Sequence, residues 1–144
     1  MSRKIIELPS DFHFSTDYSV LFTDINSANH MGADRVLPIA LEAQMRFIKR
    51  LGYDDTIVFE GAGLIMVHSE IQYISETHYA DQLTVELAVV NMAAKNLDFV
   101  YRIYNNSRQQ ETARLKVDML FFDYSTQSVT QVPAGFKARM ASIV

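Results

Sequence analysis

Residues 33–51 read ADRVLPIALEAQMRFIKRL, and this stretch decides the fold. Leu37, Leu41, Ile48 and Leu51 recur at helical spacing, while Val36, Ala40, Ala43 and Phe47 add a second apolar row beside them. A helix with so wide an apolar surface has to be buried on most sides. Asp34 in the first turn, Arg46, Lys49 and Arg50 in the last turns, and Gly52 just beyond fit both the helix dipole and a glycine C-cap. Pro38 falls close to the first turn, where a missing N–H is tolerated best.

Upstream, residues 18–22 are β-branched and aromatic enough for a strand, and DINSANHMG at 24–32 follows with turn-forming residues. Downstream of Gly61 and Gly63 the period falls to two. Leu83, Val85, Leu87 and Val89 alternate with Gln82, Thr84 and Glu86; Leu97, Phe99, Tyr101 and Ile103 alternate with Asp98 and Arg102. Leu115, Val117, Met119 and Phe121 alternate with Arg114, Lys116 and Asp118. With residues 64–74 this makes four strands, on whose second member of the chain His68 shares a face with Met66 and Glu70. The connections at 76–81, 91–96 and 105–110 are short enough for an antiparallel meander. A short helix is expected over 133–140. One strand, one buried helix and four long strands give an α+β fold, in which the helix is covered only if the sheet curls around it or a partner helps.

At 144 residues the chain fits one domain, 1–144, with 49% hydrophobic and 21% charged residues, as in ordinary globular proteins. No apolar run approaches the roughly 18 residues that span a bilayer. There is no cysteine, hence no disulfide framework and no thiolate nucleophile, and a reducing cytoplasm is the expected location. The formal net charge of -4 and scattered Lys and Arg leave no footprint for nucleic acid. No metal-ligand spacing appears and no cofactor is expected.

The stretch FTDINSANHMGADRVLPIALEAQMRF at 22–47 resembles the 4-hydroxybenzoyl-CoA thioesterase-like family, whose members carry D-x-D-x-x-G-H-V-N-N-A-x-Y and then a helix with a Glu-Ala pair. Asp24 matches the first Asp, His30 the His, and Glu42 with Ala43 the helical pair. The pattern is also similar to the D-x-N-x-H region of plant acyl-ACP thioesterases. LIMVHSEIQYISETHYADQLTVE at 64–86 resembles the family's second strand and the Y-G-D-x-L hairpin after it. The resemblance implies a hot-dog fold, a curved antiparallel sheet wrapped around one long central helix. It also implies a homodimer or homotetramer with the helix-start loop at the interface, and hydrolysis of an acyl thioester, of CoA or an acyl carrier. The departures mark an outlying subgroup. Asn26 stands where the family's second Asp, its usual catalytic carboxylate, is found, and an amide takes no proton near neutral pH. Gly32 and Ala33 replace the Asn-Asn pair, and Val36 the Tyr.

Thioester hydrolysis needs an activated water or a carboxylate nucleophile, and donors for the carbonyl oxyanion. A helix beginning near Gly32 points free N–H groups at the preceding loop, so Gly32, Ala33 and Asp34 are expected to hold the oxyanion. Asp24, His30 and Glu42 are the groups within reach that can act as base. Glu42 is the first choice, with Asn26 holding the water or the thioester carbonyl and His30 ordering the loop. Glu42 also shares a helix face with Arg35, Arg46 and Lys49, which fits an i, i+4 ion pair with Arg46 equally well. Lys95 and Asn96 fall where relatives carry basic or polar residues near CoA phosphates, though a Lys-Asn pair is first of all a turn. Asn26 keeps open a non-catalytic acyl-binding role. A hot-dog enoyl hydratase is disfavoured because its signature around the His is absent. A different fold with one helix on a curved sheet, such as a cystatin-like domain, is an alternative, one that more often places its helix before all the strands.

Overall fold

The alternating runs become one antiparallel sheet in the computed structural model, which describes residues 4–143. In chain order the elements are β1 (Phe14–Ser19), α1 (Ala33–Arg50), β2 (Gly63–Tyr73), β3 (Gln82–Val90), β4 (Asn96–Asn105), β5 (Gln110–Asp123), β6 (Ser128–Val129) and α2 (Ala134–Ser142). The sheet order is β1-β3-β4-β5-β2, with the two-residue β6 added to the end of β5. Each alternating strand turns its apolar set to one side, so Leu83, Val85, Leu97, Phe99, Tyr101, Leu115 and Val117 are all fully or nearly fully buried. Against them lies the buried row of α1: Val36, Ile39, Ala40, Ala43, Phe47 and Ile48. The sheet curls around this helix. At the far end α2 closes the core through Phe136, whose ring meets Phe59 and Phe121. No described helix is long and apolar enough to cross a membrane.

Two expectations need correction. The first strand is Phe14–Ser19, not residues 18–22. Its pairing with β3 ends at Ser19 opposite Gln82, and the carboxylate of Asp24 then draws the Leu21 amide out of the ladder into a 3-10 turn over Phe22–Asp24. Phe22, which looked like a strand residue, is 78% exposed. In β2, a bulge between Met66 and His68 inserts Val67, so Met66 faces Met119 inside while His68 faces Asp118 outside. His68 therefore shares a face with Glu70 but not with Met66.

The segment before β1 crosses the outer side of the sheet as a strap. The buried Ile6 donates its amide to Gln72 Oε1 of β2 at 3.0 Å and accepts Arg114 Nη1 of β5 on its carbonyl at 3.0 Å. The inner side is covered unevenly. Beneath α1 the core is closed, but β2 lies beyond the helix with its outer edge unpaired, and Val67 and Tyr73 are more than half exposed. Leu37, Leu41 and Met45, on the flank of α1 toward β2, are only partly buried.

Candidate active site

The loop leading into α1 is built around Asp24, which is 1% exposed. Its Oδ2 accepts hydrogen bonds from the Tyr18 hydroxyl at 2.8 Å and the Leu21 amide at 2.9 Å, and Oδ1 accepts from Arg35 Nε at 2.9 Å. Burial by itself would raise its pKa. The Leu21 amide, the Tyr18 hydroxyl and the Arg35 guanidinium outweigh burial and hold the carboxyl below the usual carboxylate range. Burial, with the Asp24 carboxylate second, pushes the Tyr18 phenol up to about 12. The Asp24 carbonyl accepts the Gly32 amide at 3.0 Å, so one residue ties β1, the loop and the first turn of α1 together.

Between these anchors the chain makes a tight turn. Asn26 Oδ1 accepts the Ala28 amide at 2.9 Å, the Asn26 amide donates to the His30 carbonyl at 2.9 Å, and Asn29 takes the left-handed conformation that Asn tolerates. The Met31 amide donates to the Thr77 carbonyl at 2.7 Å and pins the end of the turn to the β2–β3 connection. His30 Nδ1 lies 3.1 Å from the Met31 carbonyl. A carbonyl only accepts, so Nδ1 is the donor in this bond, and in the neutral ring that tautomer puts the lone pair on Nε2.

A pocket of about 280 Å³ opens where the start of α1 meets the ends of β2 and β5. His30, Met31, Ala33 and Val36 form one wall; Tyr73, Ile74, Ser75, Glu76, Thr77 and Thr112 form the other. The Tyr73 hydroxyl donates to the Ala33 carbonyl at 3.2 Å, holding the walls together. Ala33 and Asp34 lie in the first helical turn, whose amides have no acceptor within the helix. The His30 imidazole, the Ala33 end of the helix and an apolar lining thus meet in one place. Of the residues expected at the site, the pocket brings together His30 and Ala33. Sequence reasoning missed the second wall because Ile74 reads as the end of a strand and Glu76 and Thr77 as part of a hairpin connection; the signal was the cluster of hydroxyl and acid groups at 75–77.

The other expected residues are placed differently. The Gly32 amide is already given to Asp24, so Gly32 is not a free oxyanion donor, although a Cβ there would collide with the folded-back Asp34 carboxylate. Asp24 has its oxygens occupied, and Asn26 spends its side-chain oxygen on the turn. Glu42 Oε2 accepts Arg46 Nε at 2.8 Å, and Arg46 also donates to Thr16 Oγ1 and the Asp17 carbonyl. This ion pair lies in a groove beside Tyr18, Leu21 and Arg35, on the flank of α1 toward β1 and away from the pocket. Lys95 and Asn96 are at the opposite end of the sheet. The Lys95 carbonyl accepts the Phe121 amide, and from Phe121 to Thr112 is nine residues of β5, roughly 25–30 Å. Among the described residues no group of three or more His, Asp or Glu is arranged to hold a metal ion.

A model of the Thioesterase-like superfamily matches residues 20–140, which spans everything from the end of β1 to α2. The chain belongs to that superfamily. Solved structures share its fold at low identity. A 1,4-dihydroxy-2-naphthoyl-CoA thioesterase from Synechocystis superposes with a TM-score of 0.80 at 19% identity, covering 89% of this chain and 95% of the other. A Staphylococcus aureus protein solved in complex with CoA gives 0.81 at 20% identity, covering 99% and 87%. A 4-hydroxybenzoyl-CoA thioesterase variant complexed with 4-hydroxybenzoyl-CoA gives 0.79 at 18% identity, covering 88% and 97%. No curated protein matches the chain. The thioesterase-like chain thus has the hot-dog fold that the resemblance implied.

Proposed function

We propose that this thioesterase-like chain, acting as one domain over residues 1–144 in the cytoplasm, hydrolyses acyl-CoA thioesters in the pocket at the start of α1. The observation that carries the reading is the meeting of His30 with the open end of the helix in a largely apolar cleft. His30 Nε2 takes the proton of a water molecule, which attacks the thioester carbonyl. The oxyanion is held by the amides of Ala33 and Asp34. When the tetrahedral intermediate collapses, the C–S bond breaks and the proton passes from His30 to the departing thiolate. Acyl-CoA and water give the free acid and CoA. In this reading Asp24 anchors the loop, Asn26 shapes it, and Glu42 pairs with Arg46 rather than serving as base. The CoA and acyl carrier thioesters present the same reacting atoms, and the pocket selects between them only through contacts to the carrier.

The site is completed by a second copy. An unpaired eleven-residue edge with Val67 and Tyr73 exposed beside a half-covered helix flank supports pairing of β2 with the partner's β2 about a two-fold axis. Antiparallel pairing sets the far end of the partner's sheet beside this pocket, and the partner's Lys95 and Asn96 then approach the CoA phosphates. Sedimentation should give a dimer or a dimer of dimers; an active monomer would remove this part of the reading.

The test is a panel of acyl-CoA esters of differing length and ring content with release of free thiol measured. Wild-type protein should release thiol, and His30→Ala should lower kcat at least about 100-fold with KM little changed. If Glu76→Gln abolishes turnover while His30→Ala does not, the base is Glu76. Binding of acyl-CoA with no thiol release would favour the acyl-binding role that Asn26 keeps in view.

A further inference from the structure

At the floor of the pocket Thr77, 1% exposed, and Thr112, 3% exposed, place their hydroxyl oxygens 3.0 Å apart. Both backbones are fixed. The Thr77 carbonyl accepts the Met31 amide; the Thr112 carbonyl accepts the amides of Ile74 and Ser75. Thr112 is also the bulged residue of β5, lying between Ala113, paired with Ile103, and Glu111, paired with Tyr104. The extra residue is what turns a polar side chain toward the inner side of the sheet.

Two hydroxyls carry two hydrogens, and the bond between them uses one. Among the described residues neither oxygen has a further hydrogen-bond partner. The second hydrogen is thus left at the wall of a pocket whose apolar lining includes Ile74, Met31 and Val36 and whose polar lining is His30, Tyr73, Ser75 and Glu76. Packing does not require it. Valine has nearly the shape of threonine, and a Val pair would fill the same space with no donor left over.

We propose that the Thr77–Thr112 hydroxyl pair donates a hydrogen bond to the thioester carbonyl oxygen, opposite the amides at the start of α1. One hydroxyl donates to the other, and the second hydroxyl donates to the substrate. The bond strengthens as the carbonyl becomes an oxyanion, in a cleft where apolar walls limit screening. The inference rests on reading this pocket as the thioester site and adds a side-chain donor to it.

The experiment compares wild type with the double variants Thr77→Val/Thr112→Val and Thr77→Ser/Thr112→Ser. Removing both hydroxyls leaves no orphan partner, so the valine pair should fold, assemble and melt like wild type. Its kcat should fall about 100-fold with KM nearly unchanged, the scale of losing one oxyanion donor. The serine pair, which keeps both hydroxyls, should keep kcat within a few fold. A folded valine pair with wild-type kcat overturns the inference while leaving the thioesterase reading intact. A valine pair that does not fold overturns it too, since the hydroxyls would then serve the fold. Wild-type protein inactive on every ester overturns the thioesterase reading itself, and this inference with it.

Discussion

Asp24 illustrates how a residue that offers itself as a base becomes an anchor once its neighbours are known. An isolated acid at a strand end and one with both oxygens occupied have the same letter in the sequence. The partner that decides the matter, Arg35, is eleven positions away and meets it only because the intervening turn folds back. The folded-state pKa lies below the unfolded value, so the stabilisation is fully present above the ordinary carboxylate range and is lost as pH falls through the folded pKa. Asp24→Asn should therefore lower stability at pH 7 by about 2–3 kcal/mol, toward the low side for a buried pair because Arg35 remains partly solvated. Urea unfolding at neutral and acid pH checks this, and an undiminished gap at the acid end would refute it. The same substitution should bring the Tyr18 phenol down from about 12 in an alkaline ultraviolet titration, because one of the causes of its shift is removed. Asn26 and His30 were recognisable as loop residues; which atom of each is occupied was not.

On the scale of strands, alternation gave the inward faces of β3, β4 and β5 correctly, because those faces are core, but it did not reveal that Ala88, Asp98 and Val100 on the outer face are buried too. Register is another matter. Asp98 and Asp118 both read as outward-facing, yet nothing in the sequence says that they stand directly opposite one another on β4 and β5. Asn91 Nδ2 donates to Asp98 Oδ2 at 2.8 Å, and Lys116 Nζ is 3.9 Å from the same oxygen. His68 of β2 faces Asp118 across the next ladder, and Glu70 faces Lys116. Among the described residues, buried Asp118 Oδ1 has no hydrogen-bond partner. Burial first, and the Asp98 carboxylate second, raise the Asp118 pKa. The native chain thus retains a proton that the unfolded chain releases, and stability falls as pH rises through that raised pKa. Asp118→Asn, which supplies an N–H donor to Asp98 and removes the repulsion, should stabilise the protein by about 1 kcal/mol at pH 8 and by little at pH 4. Thermal unfolding at the two pH values checks it; equal gains at both would mean that charge is not the cause. The bulge at Val67 and the early end of β1 escaped the sequence for a related reason: each depends on a partner strand or carboxylate that local periodicity does not contain.

For the molecule as a whole, the order of one strand, one buried helix and four strands was enough for the α+β class, and the resemblance carried by residues 22–47 and 64–86 supplied the hot-dog architecture. What the order did not reveal is the distance between groups that a single substrate would touch. The pocket and the Lys95 hairpin are at opposite ends of the sheet, and the two-fold pairing of β2 edges proposed above would bring the partner's hairpin to the pocket. Lys95→Ala should raise KM for acyl-CoA but leave that for the matching acyl-pantetheine unchanged, because only the former carries the phosphates. Equal effects on both substrates would remove Lys95 from the site. The same separation has a genetic consequence. In the proposed dimer, a chain with a ruined hairpin and a chain with a ruined pocket bring both defects into one of the two shared sites and leave the other free of them. Assembled together, they place an intact pocket beside an intact hairpin once in every mixed dimer. Two inactive alleles should then complement each other at low acyl-CoA, whereas two defects on the same chain, mixed with neither, stay silent.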